Sequence, residues 1–199
     1  KIVEARNASP RLLLDRTVAD KISALKTPGA SERLKKLTAD LSANDAAQKL
    51  IDKRRAEYKP GPNAATEGEA IFVQTCAVCH RIGTQGALVG PQLDGIGNRG
   101  LERLLEDVLD PNRNVDRAFR THVITLKDDE VVSGLPRREE GQVLILADST
   151  GKEISINKTN IKSRFESETS LMPENLGEII KPDDFQKLMA YLLSKKSEH

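Results

Sequence analysis

The chain has 199 residues, 38% hydrophobic and 31% charged, with a net charge of +1. That is enough apolar content for a packed core and too little charge imbalance for a dedicated nucleic-acid binder. No stretch approaches the roughly 18 apolar residues of a membrane span, and with 3% aromatic residues and no Trp the core is filled by Leu, Ile, Val and Ala or by something that is not an amino acid.

Residues 1 to 58 read as helical. Ser9-Pro10 makes an N-cap and first-turn pair, and Leu12, Leu13, Val18, Ile22 and Leu25 recur at helical spacing. Pro28-Gly29 breaks the pattern, Ser31 caps a second helix with Leu34, Leu37 and Leu41, and Asn44 or Asp45 caps a third that runs to Tyr58. The chain begins at Lys1 with neither Met nor a signal peptide, as a processed or trimmed form would. Residues 59–65 form a linker by composition, Lys59-Pro60-Gly61-Pro62-Asn63.

A second unit spans 66–199. Thr66 and Glu69 fit a capping box, and the helix they start carries Ile71, Phe72 and Thr75 into Cys76-Ala77-Val78-Cys79-His80. These are the chain's two cysteines, at the spacing of c-type haem attachment. Each thiol adds to one haem vinyl group, so the two sit about one helical turn apart, and the imidazole that follows falls beneath the iron. A thioredoxin-like dithiol needs a strand before it, and the preceding segment reads as helix. A structural zinc needs two more ligands, and there is no second Cys pair. A loop rich in glycine follows, with Gly83, Gly86, Gly90, Pro91, Gly95 and Gly97, where backbone can lie close to a flat ligand. Leu101, Leu104, Leu105, Val108 and Leu109 then form an apolar helical stripe ended by Asp110-Pro111.

Periodicity changes after Phe119. Residues 120–127, 130–135, 142–147 and 152–156 are short, rich in Val, Ile and Thr, and separated by turn residues, which predicts a small antiparallel meander at about 119–161. Such strands do not satisfy their edges alone, so they lie on the helical core or pair with another chain. The last element, 182–196, is an amphipathic helix with Phe185, Leu188, Met189, Leu192 and Leu193 inward.

The iron's sixth position has few candidates. Met172 stands in Ser170-Leu171-Met172-Pro173, before the final helix; Met189 is on an apolar helix face; His122 is within a strand; His199 ends the chain. Met172 is preferred, because its loop returns the chain just before the final helix while Met189 reads as core; a thioether on iron favours the reduced state and leaves no open site.

The order of Cys76 to His80 with Arg81-Ile82, Gly90-Pro91-Gln92-Leu93, Leu109-Asp110-Pro111-Asn112 and Ser170-Leu171-Met172-Pro173-Glu174-Asn175-Leu176 resembles the haem-binding domain of the Pirellula/Verrucomicrobium type. The resemblance covers nearly all of 66–196. It implies a mainly α, class I cytochrome c-like fold, with the meander inserted between the Leu101–Leu109 helix and the Met172 loop, behind an N-terminal helical extension. It implies one covalent haem c, with His80 and Met172 on the iron. It also implies that the Pro91 carbonyl accepts a hydrogen bond from the His80 imidazole, and Arg99 is a candidate propionate partner. Such domains often end larger chains, after a dehydrogenase-like propeller or helical repeats, so residues 1–58 are read as a repeat tail, or as an extension packed on the cytochrome or on a second copy. A homodimer through these helices or through the strands is thus a candidate.

Two function classes remain. One is a one-electron carrier, not itself an enzyme, serving unknown redox partner proteins or forming the electron-accepting domain of a larger dehydrogenase. The other is a haem enzyme, or a gas or peroxide sensor, with an open distal site; no distal His-Arg pair stands at a convincing spacing. Covalent haem attachment implies a periplasmic or otherwise extracytoplasmic location. Residues 1 to 58 hold 13 Lys and Arg against 8 Asp and Glu, and 59 to 199 hold 18 against 22, an asymmetry suited to steering a partner or to contact between the segments.

Overall fold

The structure is a computed structural model that describes residues 22, 24, 27–38 and 46–197. Most of the first expected helix, Leu41, the Asn44 or Asp45 cap and His199 lie outside the described residues. Helix α1 is Ala30–Thr38, so Ser31 lies inside its first turn rather than before it. Helix α2 is Ala46–Glu57 and α3 is Ala64–Thr75. A small hairpin, β1 (Arg81–Ile82) and β2 (Gln85–Gly86), precedes α4 (Gly100–Leu109). Five strands follow: β3 (Arg120–Leu126), β4 (Val131–Glu140), β5 (Val143–Ala147), β6 (Glu153–Asn157) and β7 (Ile161–Ser170). The one-turn helix α5 (Leu176–Ile179) and α6 (Pro182–Ser194) complete the chain.

The crossing of α3 and α6 organises the helical part. Phe72 is fully buried and its ring centroid lies 5.5 Å from that of Tyr191. One turn earlier, a Cβ on Gly68 would fall on the Lys187 carbonyl, so only glycine lets the two backbones approach this closely. Replacing Gly68 by Ala is expected to cost about 2–3 kcal/mol of stability through overpacking, more than Ala's helix-propensity advantage of roughly 1 kcal/mol returns. Thermal or urea unfolding reads the loss directly.

Helix α3 starts two residues before the expected capping box. The Gly61–Ala64 turn closes with Ala64 N–H donating to Gly61 O at 3.1 Å, Ala64 is buried, and Asn63 occupies the cap without a side-chain bond. Thr66 and Glu69 are therefore inside the helix. The preceding Lys59 N–H donates to Gln186 Oε1 at 2.8 Å, which docks this segment on α6. Helix α2 shares the main core: Ile51 is buried there, and Arg54 donates to Gly177 O at 3.2 Å with its guanidinium 5.5 Å from the Phe185 ring centroid.

The fold mixes helix and sheet rather than being mainly helical. The strand order is β6-β5-β4-β3-β7, with every neighbour antiparallel. The first four strands are the expected meander. The fifth, β7, returns to pair with β3 and carries the sheet nine residues past the expected end at 161. Its sequence IKSRFESETS alternates charged with small polar residues, so it lacks the apolar period that marks a half-buried strand. Strand β4 also outruns its expected end at Leu135. It continues through Pro136, where the register shifts before Arg138, and a bulge is where a strand tolerates a residue with no N–H. At Gly134 the strand passes from its β3 partner to its β5 partner, and a Cβ there would lie 2.6 Å from Ala147 O.

Ile124, Leu144, Leu146 and Ile156 form a core of the sheet's own. A third cluster, Val89, Leu135 and Ala147 with Cys79, Ala87, Phe119 and Leu171 against it, joins the sheet to the cysteine loop.

Candidate haem site

Helix α3 ends in the motif. Cys76 and Ala77 N–H both donate to Phe72 O, at 2.8 and 2.9 Å, and Cys79 and His80 N–H both donate to Cys76 O, at 3.1 and 2.9 Å. The whole Cys76–His80 segment is thus one tight turn continuing the helix. Among the described residues neither cysteine is in a disulfide, and both are half-buried: Cys76 packs on the helical core and Cys79 on the sheet junction. Burial pushes both thiol pKa values up, helped at Cys79 by the Asp148 carboxylate.

His80 Nδ1 lies 2.9 Å from Pro91 O. A carbonyl only accepts, so Nδ1 carries the proton and donates, leaving Nε2 with its lone pair for a metal. Burial holds the imidazole pKa below its ordinary value, against the opposing effect of the Pro91 bond. The glycine loop is built around this ring. A Cβ on Gly90 would sit 2.7 Å from His80 Cε1, and one on Gly86, at φ +100°, would fall on the His80 carbonyl. Cys79 O accepts from Val89 N–H at 3.0 Å and from Gly90 N–H at 2.7 Å. Arg137, from β4, donates to Val89 O at 2.9 Å and also to Leu88 O.

Met172 lies between β7 and α5. It is half-buried on the margin of the helical core, as are Cys76, Ala77, Ile82, Leu93, Ile96 and Leu101. Met189 is fully buried inside that core. The remaining described histidine, His122, is in the sheet: its Nδ1 accepts from Arg164 Nε at 2.9 Å, and its Nε2 is 4.0 Å from Glu166. Arg99 is held by Asp107, Nε to Oδ2 at 2.8 Å, so its guanidinium already has a carboxylate partner. Arg81, read in the sequence only as part of the motif order, adjoins His80, and its buried Nε has no hydrogen-bond partner among the described residues.

These residues fit a covalently held haem. Two cysteines share one turn, an imidazole has its Nδ1 fixed and a glycine is pressed against that ring, while Met172 packs on the same helical core as Cys76. Among the described residues, no group of three or more His, Cys, Asp and Glu could hold a metal ion by itself.

His122 carries a consequence of its own. Its burial, then the Arg164 and Arg117 guanidinium groups, hold its pKa below the ordinary 6.5, against the pull of Glu166. The unfolded chain therefore takes up this proton first as pH falls. The stability contributed by neutral His122 is full above pH 6.5 and drains away as pH drops through the lower folded value. Unfolding measured near pH 7.5 and near pH 5 should show a smaller acid loss in His122→Gln than in the parent.

The family model described as Cytochrome c matches residues 65–128, from the first turn of α3 through the end of β3. That family binds haem c covalently, with iron. The match supports a c-type cytochrome haem-binding domain, a helical class I fold around the motif and haem-based electron transfer with redox partners. Cytochrome c domains are typically extracytoplasmic, and among the described residues no helix is long and apolar enough to cross a membrane. The matched stretch ends before Met172. No curated protein matches the chain.

Proposed function

We propose that this chain carries one electron at a time through a haem c that Cys76 and Cys79 would attach and His80 and Met172 would ligate. The bound haem supplies an iron centre that cycles between ferric and ferrous. The observation that carries the reading is the His80 Nδ1 to Pro91 O bond of 2.9 Å, made by the imidazole that ends the turn holding both cysteines. The Pro91 carbonyl fixes the ring's tautomer and rotation and raises the basicity of Nε2. Cys76 and Cys79 hold the group in place, and the half-buried margin of Ile82, Leu93, Ile96 and Met172 keeps water from it. Arg81 Nε, buried and without a hydrogen-bond partner among the described residues, suits a propionate better than Arg99, which would first have to leave Asp107.

With Met172 as the second ligand the iron would leave no place for substrate, so the chain acts as a carrier rather than an enzyme. The order of its motifs favours the Pirellula/Verrucomicrobium type, with the sheet as a lobe inserted between α4 and the Met172 loop. Covalent attachment favours the periplasm, and a dehydrogenase is the suitable class of donor. Of residues 1–58, helix α2 packs on the helical core, which favours the reading of this segment as an extension on the cytochrome itself over a repeat tail or a contact with a second copy.

Intact-mass analysis of denatured protein and the optical spectrum of the oxidised form test this together. The reading requires one haem retained by mass and a weak far-red band of Met-ligated iron. Free thiols at both cysteines, or a high-spin spectrum, would overturn it.

A further inference from the structure

We infer that Asn112 is a positioning residue for the sixth ligand: its side chain clasps both ends of the loop that carries Met172. Asn112 Oδ1 accepts from Ser170 N–H at 2.7 Å, and Asn112 Nδ2 donates to Glu174 Oε1. Ser170 Oγ then accepts from Met172 N–H at 3.0 Å. Ser170 is the last residue of β7 and Leu176 the first of α5, so one amide side chain spans the connection in which Met172 lies. The chemistry fixes which way this amide points. A backbone N–H must meet the oxygen, and a carboxylate must meet the nitrogen. Asp at this position would lack the donor, and Leu would lack both groups.

The clasp has a firm base. Asn112 follows the end of α4, where Arg113 is 3% exposed and its Nε donates to Asp110 Oδ2 at 3.0 Å. Arg113 N–H also donates to Asp110 O at 2.9 Å, and Glu106, one turn back on α4, takes Arg103 at 2.6 Å and faces Arg113 at 3.7 Å. A buried ionic turn thus holds Asn112 relative to the helical core, and Asn112 holds the Met172 loop. Asn112 does not touch the iron ligand; it acts by setting how often the loop departs.

The inference rests on Met172 as the sixth ligand, and imidazole competition in the ferric holoprotein tests it. An added ligand binds only the fraction of molecules whose loop is open, so its apparent affinity reports that fraction. Asn112→Ala removes two hydrogen bonds, one of them to a charged group, and should raise imidazole affinity about tenfold or more. The Ser170 amide should exchange with solvent faster by a similar factor, with α6 amides unchanged. Asn112→Asp keeps the acceptor, so Ser170 should stay protected while imidazole affinity still rises; Glu174→Ala should behave alike. Unchanged imidazole affinity in all three variants, with the far-red band present in the parent, overturns the clasp and leaves Met172 as ligand. Acceleration of Ser170 and α6 amides together, with affinity unchanged, marks a purely structural Asn112 and overturns it too. A parent with no far-red band overturns the ligand assignment and the clasp together.

Discussion

Replacing Cys76 and Cys79 by Ser together should turn haem retention from permanent to concentration-dependent. With two thioethers the haem is part of the chain, so its stabilising effect does not change on dilution. Without them, His80 and the apolar margin hold haem only by equilibrium binding, and stability then follows the ratio of free ligand to dissociation constant. The variant should lose haem on denaturation, and its Tm should rise with added haem, whereas the parent's should not. Each single Ser variant should keep haem through the remaining bond. The Ser side chain is close enough in size to Cys to leave the turn intact: Cys79 and His80 still donate to the backbone carbonyl of residue 76. A double variant that holds haem through denaturation would show that attachment lies elsewhere.

The part of the site most legible in the sequence is the part made by neighbours along the chain. Cys76, Cys79 and His80 are set by the geometry of one turn, so spacing alone reveals them. The Pro91 contact came from the ordered motifs, and the bond to His80 Nδ1 is present. Arg99 was chosen as a cation in a fitting place, but a local carboxylate, Asp107, engages it; a pairing at eight positions' separation across a helix start is easily overlooked. Asn112 was visible only as one letter of a motif, because its partners lie at residues 170 and 174 and come near only through the sheet.

The fold divides in the same way. The stripe of Leu101 to Leu109 is an amphipathic pattern, and α4 forms there with Leu104, Leu105, Val108 and Leu109 buried. The exposed strand β7 has no such stripe, since neither of its faces is covered as the inner face of β5 is, where Leu144 and Leu146 are buried. Strand β4 is expected to end at residue 135 and instead runs on through Pro136, because a register shift there accommodates a residue with no N–H. Gly68 gave no local signal at all. Its necessity comes from the Lys187 carbonyl, which is 119 positions away in sequence.

The largest functional change is expected from Met172→Ala, read beside Met189→Ala. Removing a thioether ligand should abolish the far-red band, lower the reduction potential and let cyanide or imidazole bind ferric iron, because thioether ligation favours the reduced state and blocks the position. Haem should stay attached through Cys76 and Cys79. Met172 is only half-buried, so the variant should fold, losing about 2 kcal/mol or less. Met189 is the opposite case: it is 0% exposed, between α6 and the helical core, and its truncation leaves a cavity that costs about 2–5 kcal/mol. Its spectrum and potential should match the parent's at temperatures where it is folded. The pair thus separates ligation from packing with the same chemical change at two methionines. If Met172→Ala keeps the parent spectrum and potential, Met172 is not on the iron. His122 is then the next to test, although Arg164 already occupies its Nδ1 and the sheet would have to release it.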